Sequence, residues 1–383
     1  MHPAAIEAMV DALGRTGNPS SLHAPGRAAR RLVEESRELV AERLGARASD
    51  VLLTGGGTEA DNLAVQGIYR ARVGADPRRR RVLVSAVEHH AVLDPAESLT
   101  RQGAQVVRLP VDGTGRLDLA ALATELAAHG DEVALVSVMW ANNEIGTVQP
   151  VGEVVALAAE HGVPVHCDAV QAVGHLPVDF AASGLAAMTV TGHKLGGPVG
   201  AGALLTRRGL DLVPLMHGGG QERGIRPGTL DAPAVRAFAV ALDLAVRAEP
   251  VESVRLAGLR DAAVQGLRRA VPDVVLRGPR PGPLRLPGNV HVTVPGCDGE
   301  SLLFLLDSRG IACSTGSACQ AGVARPSHVL LACGVAPEQA RGAVRFSLGR
   351  TTTAQDVDTL LAVLPGVVDR ARAAGRASSA PVR

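Results

Sequence analysis

The chain has 383 residues, more than a single hydrophobic core usually holds, so we expect one large domain and a smaller one. Its 39 basic and 38 acidic residues give a formal net charge of +1, and aromatic residues make up only 2% of the sequence. Because nucleic-acid-binding proteins need basic surfaces and aromatic side chains that stack on bases, this composition argues against direct nucleic-acid binding.

The first residues, from Met1 to Glu7, lack the charged and apolar regions of a signal peptide. No apolar run approaches the roughly 20 residues that a membrane-spanning helix needs, so we expect a cytoplasmic protein without a membrane partner. The five cysteines are an odd number at irregular spacing, and none belongs to a CxxC pair. The sequence therefore predicts neither a disulfide framework nor a zinc site.

The first part of the chain alternates predicted helices and strands. Helical spacing of apolar residues predicts a short helix at residues 3–14 and an amphipathic helix from Pro25 to Leu44, closed by Gly45. Continuous apolar runs predict strands that are covered on both faces, at residues 51–54, 82–85, 133–139, 163–167, 187–191 and 202–206. Helical segments between these strands indicate a mostly parallel sheet flanked by helices, which is an α/β domain at residues 15–248.

The pattern changes after about residue 248. The helix that follows Asp231 is predicted to end near Ala248, and further helices are predicted at residues 253–270 and 355–374. Between them lie a Pro/Gly-rich link at 277–288, an alternating strand at 290–294 and a strand at 343–348. This mixture predicts a smaller α+β domain, formed by residues 1–14 and 249–383.

Polar residues follow several of the predicted strands, where α/β sheets usually bind ligands. They are Glu88-His89-His90, Asn142-Asn143-Glu144, Asp168 to Gln171, and His193-Lys194. We expect these groups to converge on one pocket. The glycine run Gly55-Gly56-Gly57 lies between a strand and a helix, an arrangement that can present N–H groups to a phosphate. An ordinary tight turn explains that run about equally well.

Lys194 is the sole lysine of the chain, and every other basic residue except histidine is arginine. Arginine can replace a lysine that supplies only charge, but it cannot supply a neutral primary amine that adds to an aldehyde in a shielded site. Chance retention in an arginine-rich protein is the alternative interpretation. We interpret Lys194 as the residue that attaches pyridoxal phosphate (PLP) covalently.

Three further residues fit a PLP site. Asp168 could cap a helix, or its carboxylate could pair with the protonated pyridine nitrogen and keep the ring an electron sink. Gln171, three residues later, would face the same side of an emerging helix and could bond the phenolic oxygen of the cofactor. His89 at a strand end could be a surface residue, or it could stack on the cofactor and shuttle protons.

Cys319 lies in a segment, residues 313–326, that contains almost no large side chain. We expect a mobile loop, on which a cysteine can ionise, attack a bound substrate and swing out to transfer its cargo. An inert small residue in a flexible loop is the alternative. Cys313, at the end of an apolar run, is predicted to be a core residue.

These motifs together resemble the cysteine desulfurases, a group within the class V, fold-type I PLP-dependent enzymes. The resemblance covers residues 17–352 and is greatest to the group with the longer Ser-Ala-Cys loop, which supplies iron–sulfur cluster assembly and tRNA thiolation. Besides Lys194 and the segment around Cys319, its marks are Gly57-Thr58-Glu59-Ala60-Asp61-Asn62, Glu88-His89, Asn142-Asn143-Glu144-Ile145-Gly146, His217 to Glu222, and Arg226-Pro227-Gly228-Thr229.

The resemblance implies a role for each matching residue. It makes Lys194 the attachment residue and mover of the Cα proton, Asp168 the partner of the pyridine nitrogen, Gln171 the partner of the phenolic oxygen, and His89 the stacking residue and proton shuttle. The phosphate would be bound by Gly57, Thr58, Thr191 and His193, with Thr229 reaching in from a second subunit. Asn143 and Arg345 would bind the substrate carboxylate, Arg345 through a planar two-point contact.

The implied reaction converts L-cysteine to L-alanine and leaves the sulfur as a persulfide on Cys319. The implied partners are a second copy of the chain and a sulfur acceptor, either an iron–sulfur scaffold or a tRNA-thiolation enzyme. No resident metal is expected, and Cys319 would at most touch an iron–sulfur cluster during transfer. The alternatives are another class V PLP enzyme, such as a selenocysteine lyase or a transaminase, and a non-catalytic persulfide carrier.

Members of this family usually begin with a short strand that ends in an Ala-Thr-Thr-Pro-like turn at the active site. The given sequence begins at the helix that follows this strand. We expect either a start further upstream or a pocket that lacks this turn.

Overall fold

The computed structural model describes residues 1–15, 17–315 and 326–378. Their contacts divide the chain into two compact units. The first unit contains residues 1–109, 118–141 and 149–250, and the second contains residues 110–117, 142–148 and 251–383. No helix in the described part of the chain is both long and apolar enough to cross a membrane.

The first unit alternates helices and strands as the apolar runs predict. Its helices are α1 (Pro3–Leu13), α2 (Ala24–Arg43), α3 (Gly57–Ala75), α4 (His90–Ser98), α5 (Leu119–His129), α6 (Val151–Glu160) and α7 (Phe180–Ser183), and α8 (Ala232–Ala270) begins there. Its strands are β1 (Val51–Thr54), β2 (Arg81–Ser85), β3 (Gln105–Leu109), β4 (Val133–Ser137), β5 (Val165–Asp168), β6 (Ala187–Thr191) and β7 (Gly202–Thr206).

These strands form a seven-stranded sheet in the order β1-β7-β6-β5-β4-β2-β3. Neighbouring strands are parallel in the pairs β6–β5, β5–β4, β4–β2 and β2–β3. Strand β7 is antiparallel to both of its neighbours, β1 and β6. The prediction of a mostly parallel α/β sheet is therefore confirmed. Every residue of β1, β4, β5, β6 and β7 is buried, because both faces of the sheet are covered.

The second unit contains a small antiparallel sheet with helices. Its strands are β8 (Val275–Leu276), β9 (Asn289–Thr293) and β10 (Ala343–Ser347), in the order β10-β9-β8. Its helices are α9 (Gly299–Asp307), α10 (His328–Ala332), α11 (Pro337–Ala340) and α12 (Ala354–Ser378). Val290, Val292, Val344 and Phe346 point into a core shared with α9 and α12.

The units differ from the predicted division at the amino terminus. Residues 1–14 were expected in the smaller domain, but α1 belongs to the first unit. Ala5 packs against Ala237 and Ala241 of α8, and the His2 N–H donates to the Gly196 carbonyl at 2.7 Å. The position of a short helix depends on the surface against which it packs, and the sequence of the helix does not specify that surface. The boundaries of the folding domains stay a prediction.

Helix α8 is continuous where the sequence predicts two helices. Pro250 lies inside it and removes one backbone hydrogen bond, which would favour a break. Because Pro250 is exposed, the carbonyl group that loses its partner can bond to water instead. The buried side chains Phe238 and Leu256, one on each side of Pro250, support the helix along its length.

Candidate active site

The predicted site residues of the first unit follow strands that end at one edge of the sheet. Strands β1, β2, β4, β5 and β6 run in the same direction, so their carboxyl ends meet there. Gly57 follows β1, His89 follows β2, Asp168 ends β5, and Lys194 follows β6. The topology therefore places these four residues along the edge where open α/β sheets bind ligands.

Lys194 ends a single 3₁₀ turn, Gly192–Lys194, that directly follows β6. The sequence argument expects a shielded lysine, but Lys194 is exposed, because this turn leaves the sheet at its edge. Burial lowers the pKa of the neighbouring His193, and the positive charge of Lys194 lowers it further. Exposure makes the amine of Lys194 accessible to an incoming aldehyde.

Asp168 is buried, with only 6% of its surface exposed. Its Oδ1 accepts the Val170 N–H at 2.9 Å, which fixes the carboxyl group at the end of β5. Burial raises the pKa of the Asp168 carboxyl to about 6, against the opposing effects of this hydrogen bond and of the Lys194 charge. A buried carboxylate in this state is stabilised by any cation that binds beside it.

The amino terminus of α3 forms a glycine cradle at the edge of the sheet. Gly56 is its N-cap, with φ 127°, and no side chain of residues 1–15, 17–315 or 326–378 caps the first turn. A Cβ atom at Gly57 would meet the Val170 side chain at 3.1 Å, and one at Gly202 would lie 2.9 Å from the Gly56 Cα. The turn can pack this closely on the edge of the sheet only because these positions lack side chains. Backbone N–H groups at such a helix amino terminus can bind an anion, and phosphate binding by this cradle stays a prediction.

The hydroxyl group of Thr191 lies next to this cradle. Its Oγ1 is 3.1 Å from the His193 Nδ1 and 3.7 Å from the position that a Cβ atom of Gly56 would take. Thr58, in the first turn of α3, is exposed. The predicted phosphate ligands Gly57, Thr58, Thr191 and His193 therefore gather at the meeting point of β1, β6 and α3.

His89 is the N-cap of α4, and its Nδ1 accepts the Ala91 N–H at 3.1 Å. This bond assigns the proton of the neutral ring to Nε2, the nitrogen on the outer edge of the imidazole. His89 is half-buried, so its orientation is fixed by the backbone while part of the ring stays accessible.

Gln171 is placed differently from the prediction. No α-helix directly follows β5; residues 170–175 form turns, in which the Ala172 N–H donates to the Ala169 carbonyl. Gly174, at φ 73°, ends this segment. The expectation that Gln171 shares a helical face with Asp168 is therefore wrong, although both residues remain within one short turn of each other.

Two buried carboxyl groups near this edge were given no role by the sequence. Asp61 on α3 and Glu88 after β2 are almost completely buried, and burial raises the pKa of each well above its usual value, with the Asp168 charge adding to the effect. Glu88 Oε1 accepts the Met139 N–H at 2.8 Å. For Asp61, the sequence signal that could have indicated a buried carboxyl group was an acidic residue on the otherwise apolar face of α3.

Asp61 also lies at one end of a row of buried polar side chains. His166 lies 2.9 Å from Ser137 Oγ through Nδ1 and 3.0 Å from Thr189 Oγ1 through Nε2, and the same Nε2 is 3.5 Å from Asp61 Oδ1. Burial lowers the pKa of His166 to about 3, so the imidazole is neutral. This row of polar side chains therefore crosses β4, β5 and β6, and its imidazole adds no charge near Asp168.

The predicted substrate ligands belong to the second unit. Arg345, on β10, donates from Nη1 to the Asn143 carbonyl at 2.8 Å. Ser314 pairs with Arg345 through two backbone hydrogen bonds of 2.7 and 3.0 Å. Asn143 and Arg345 are thus brought together, and the contact uses the backbone of Asn143. Cys319 lies outside the described residues. Cys313, predicted as core, packs against the apolar core of this unit.

Thr229 follows a strained segment of the first unit. Glu222 and Arg223 have φ of 46° and 60°, the left-handed region that side chains rarely adopt. Both carboxylate oxygens of Glu222 bind Arg37, at 2.6 and 2.7 Å, and Oε2 also accepts the Leu53 N–H. These contacts hold the strained backbone in place, and Thr229 itself is exposed.

Replacing Arg37 with methionine is expected to lower the free energy of unfolding by about 3–5 kcal/mol, because the Glu222 carboxyl group, whose side chain is 3% exposed, would lose its buried ion-pair partner. Denaturant unfolding measures the change. The control is Arg31→Met on the same helix, whose pair with Glu35 is exposed and should cost at most about 1 kcal/mol. Equal losses in the two variants would contradict this assignment.

The class-V aminotransferase family model matches residues 1–360 of the chain. The chain is 56% identical to the IscS-like cysteine desulfurase of Mycobacterium tuberculosis, over 100% of this chain and 97% of that protein. It is 45% identical to a cysteine desulfurase of Cereibacter sphaeroides, over 97% and 94% of the two chains.

Solved structures agree in fold. A NifS-like protein matches with a TM-score of 0.89 at 32% identity, covering 97% of this chain and 96% of that one. SspA, solved in complex with cysteine, matches with a TM-score of 0.76 at 30% identity, covering 91% and 95%.

Proposed function

The chain belongs to the class-V aminotransferase family and, within it, to the cysteine desulfurases, enzymes that depend on PLP. From this premise we propose that it binds PLP, converts L-cysteine to L-alanine, and passes the sulfur on as a persulfide of Cys319. The observation that carries the proposal is the pair Lys194 and Asp168 at the ends of the neighbouring strands β6 and β5, with the lysine charge acting on the buried carboxyl group.

The residues of the sheet edge fit PLP in three respects. Asp168 offers a buried carboxylate to the protonated pyridine nitrogen, the glycine cradle before α3 offers N–H groups to the phosphate, and Lys194 offers an accessible amine to the aldehyde. Thr58, Thr191 and His193 would complete the phosphate site, and Gln171 would bond the phenolic oxygen. When bound, PLP supplies an electron sink for charge that develops at the substrate Cα.

The residues of this chain would position the substrate and move its protons. Lys194 would take the proton from the substrate Cα and return it, and His89, which carries its proton on Nε2, would stack on the cofactor and carry a second proton. Arg345 and Asn143 would bind the substrate carboxylate, with the guanidinium held by the Asn143 carbonyl.

Cys319 would then accept the sulfur. Its thiolate forms an S–S bond to the substrate sulfur, and the bond between that sulfur and the substrate Cβ breaks. The electron pair of the broken bond stays with the carbon, which takes up a proton and becomes the methyl group of alanine. The persulfide remains on the protein.

The described cysteines are poor candidates for this nucleophile. Burial raises the pKa of all four, to about 11 for Cys313 and about 12 for Cys333, and also above the usual range for Cys167 and Cys297. At neutral pH these thiols stay protonated, and a thiol attacks sulfur only as its thiolate. This supports Cys319 as the reacting cysteine.

The proposal extends to partners. A second copy of the chain would contribute its Thr229 to the phosphate site, so we propose a homodimer. The persulfide would pass to an acceptor protein, either an iron–sulfur scaffold or a tRNA-thiolation enzyme, and the protein would work in the cytoplasm.

Incubating the PLP-loaded protein with L-cysteine and a thiol reductant tests the activity. We expect alanine and sulfide in equal amounts, and neither above background with the Lys194→Ala variant. Absence of both products from the unaltered protein would exclude desulfurase activity. A protein that takes up no PLP would instead favour a non-catalytic sulfur carrier.

A further inference from the structure

The alternating strand β9 has two buried faces, although its pattern of apolar and polar residues is typical of a strand with one solvated face. Val290 and Val292 point into the apolar core. Asn289, His291 and Thr293 lie on the opposite face and are also buried, with His291 0% exposed. The second unit therefore buries a polar layer.

His291 is unusual within this layer because neither ring nitrogen has a hydrogen-bond partner among the described residues. It pairs directly with Arg345 across the antiparallel strands, so the two side chains project from the same face as neighbours. The Nε of Arg345 is likewise buried and without a partner there, whereas its Nη1 donates to the Asn143 carbonyl.

Within the described part of the chain, the charges that act on His291 are positive. Burial lowers the pKa of His291 to about 3, and the charges of Arg345, Arg285 and Arg277 lower it further. Arg285 is buried, and its acceptors among the described residues are neutral oxygens, three of backbone carbonyls and one of the Asn289 amide. The imidazole is therefore neutral, and one of its nitrogens is a hydrogen-bond acceptor.

A purely structural role does not account for this arrangement. An imidazole buried without partners costs folding free energy that an apolar side chain of similar size would avoid. The side chains of His291 and Arg345 share no hydrogen bond in this structure, but an acceptor beside an Nε–H can fix the rotation of a guanidinium when that side chain turns towards it. With Nη1 held at Asn143 and Nε turned to His291, Arg345 would offer the edge formed by Nη1 and Nη2.

We propose that His291 is a positioning residue for Arg345: when the carboxylate of the amino-acid substrate binds the two terminal nitrogens of the guanidinium, His291 accepts its Nε–H. The inference deepens the proposed function and depends on it for the role of Arg345. His291 itself does not contact the reacting atoms.

Replacing His291 with leucine tests this role. We expect the KM for L-cysteine to rise about tenfold, kcat to change less than about threefold, and the melting temperature to stay the same or rise, because two unpartnered nitrogens are removed. His291→Asn and His291→Gln carry amide oxygens near the positions of Nδ1 and Nε2. At least one of them should restore KM to within about threefold.

The matched control is Thr293→Val, which removes a polar atom from the same face of β9. Thr293 pairs with Ala343, and its hydroxyl accepts from Arg277 Nε at 2.9 Å. We expect this variant to lower the melting temperature and leave KM unchanged. An unchanged KM in His291→Leu, or failure of both amide variants to restore it, would overturn the proposal.

Calorimetric titration with L-alanine separates this inference from the desulfurase assignment. The product carries the same carboxylate, so His291→Leu should weaken its binding by about tenfold relative to the unaltered protein. Inactivity of the unaltered protein towards L-cysteine would contradict the proposed function alone. Equal affinities for L-alanine in the two proteins would contradict the role of His291.

Discussion

Replacing Lys194 with arginine is expected to lower the rate of alanine formation by at least about a thousandfold, although the substitution keeps a positive charge. The guanidinium stays protonated and cannot add to the aldehyde of PLP or move the substrate Cα proton. The charge beside Asp168 is retained, so a loss of activity would report the chemistry of the amine and not the electrostatics of the site.

Borohydride reduction of the PLP-loaded protein, followed by peptide mapping, measures the attachment directly. The cofactor tag is expected on the peptide that contains Lys194 and on no peptide of the Lys194→Arg variant. Arg208→Lys is the matched control, because it adds a second, exposed lysine after β7. In the Arg208→Lys variant, a tag on residue 208 with the same yield as on Lys194 would contradict the assignment. In the unaltered protein, a tag on any peptide without Lys194 would contradict it as well.

Replacing Cys319 with serine is expected to lower catalytic turnover with L-cysteine by at least about a hundredfold and to remove the persulfide. A serine hydroxyl at neutral pH is a far weaker nucleophile towards sulfur than a thiolate. Mass spectrometry after a single addition of L-cysteine should find one added sulfur atom on the peptide with Cys319, and none in the variant.

The control for Cys319 is Cys313→Ser in the same stretch of sequence. Cys313 packs against the core, and burial raises its pKa to about 11, so we expect turnover within about twofold of the unaltered protein. Activity that survives in Cys319→Ser would indicate a different class V reaction, such as that of a selenocysteine lyase or a transaminase.

Much of the candidate site could be predicted because its residues follow strands. Apolar runs long enough to be recognised predict β1, β5 and β6, and a parallel sheet brings their carboxyl ends to one edge. The positions of Gly57, Asp168 and Lys194 then follow from their places in the sequence. Their chemical roles stay predictions until the variants are measured.

Other features could not be predicted, because they depend on contacts between distant parts of the chain. The turn that carries Gln171 is short, and nothing in its composition distinguishes it from a helical start. Helix α8 passes through Pro250 because the proline is exposed there, which the sequence does not reveal. The exposure of Lys194 likewise depends on where its turn leaves the sheet.

The sequence by itself determined the α/β alternation, the sole lysine, and the resemblance that links Lys194 to Cys319, because these depend on local pattern and residue type. Only the tertiary structure decided that Asp61 and Glu88 are buried near Asp168, and that His291 pairs across the strands with Arg345 while its ring nitrogens have no hydrogen-bond partner among the described residues. Burial and pairing arise from residues far apart in the chain, and it is burial that shifts the pKa of these groups.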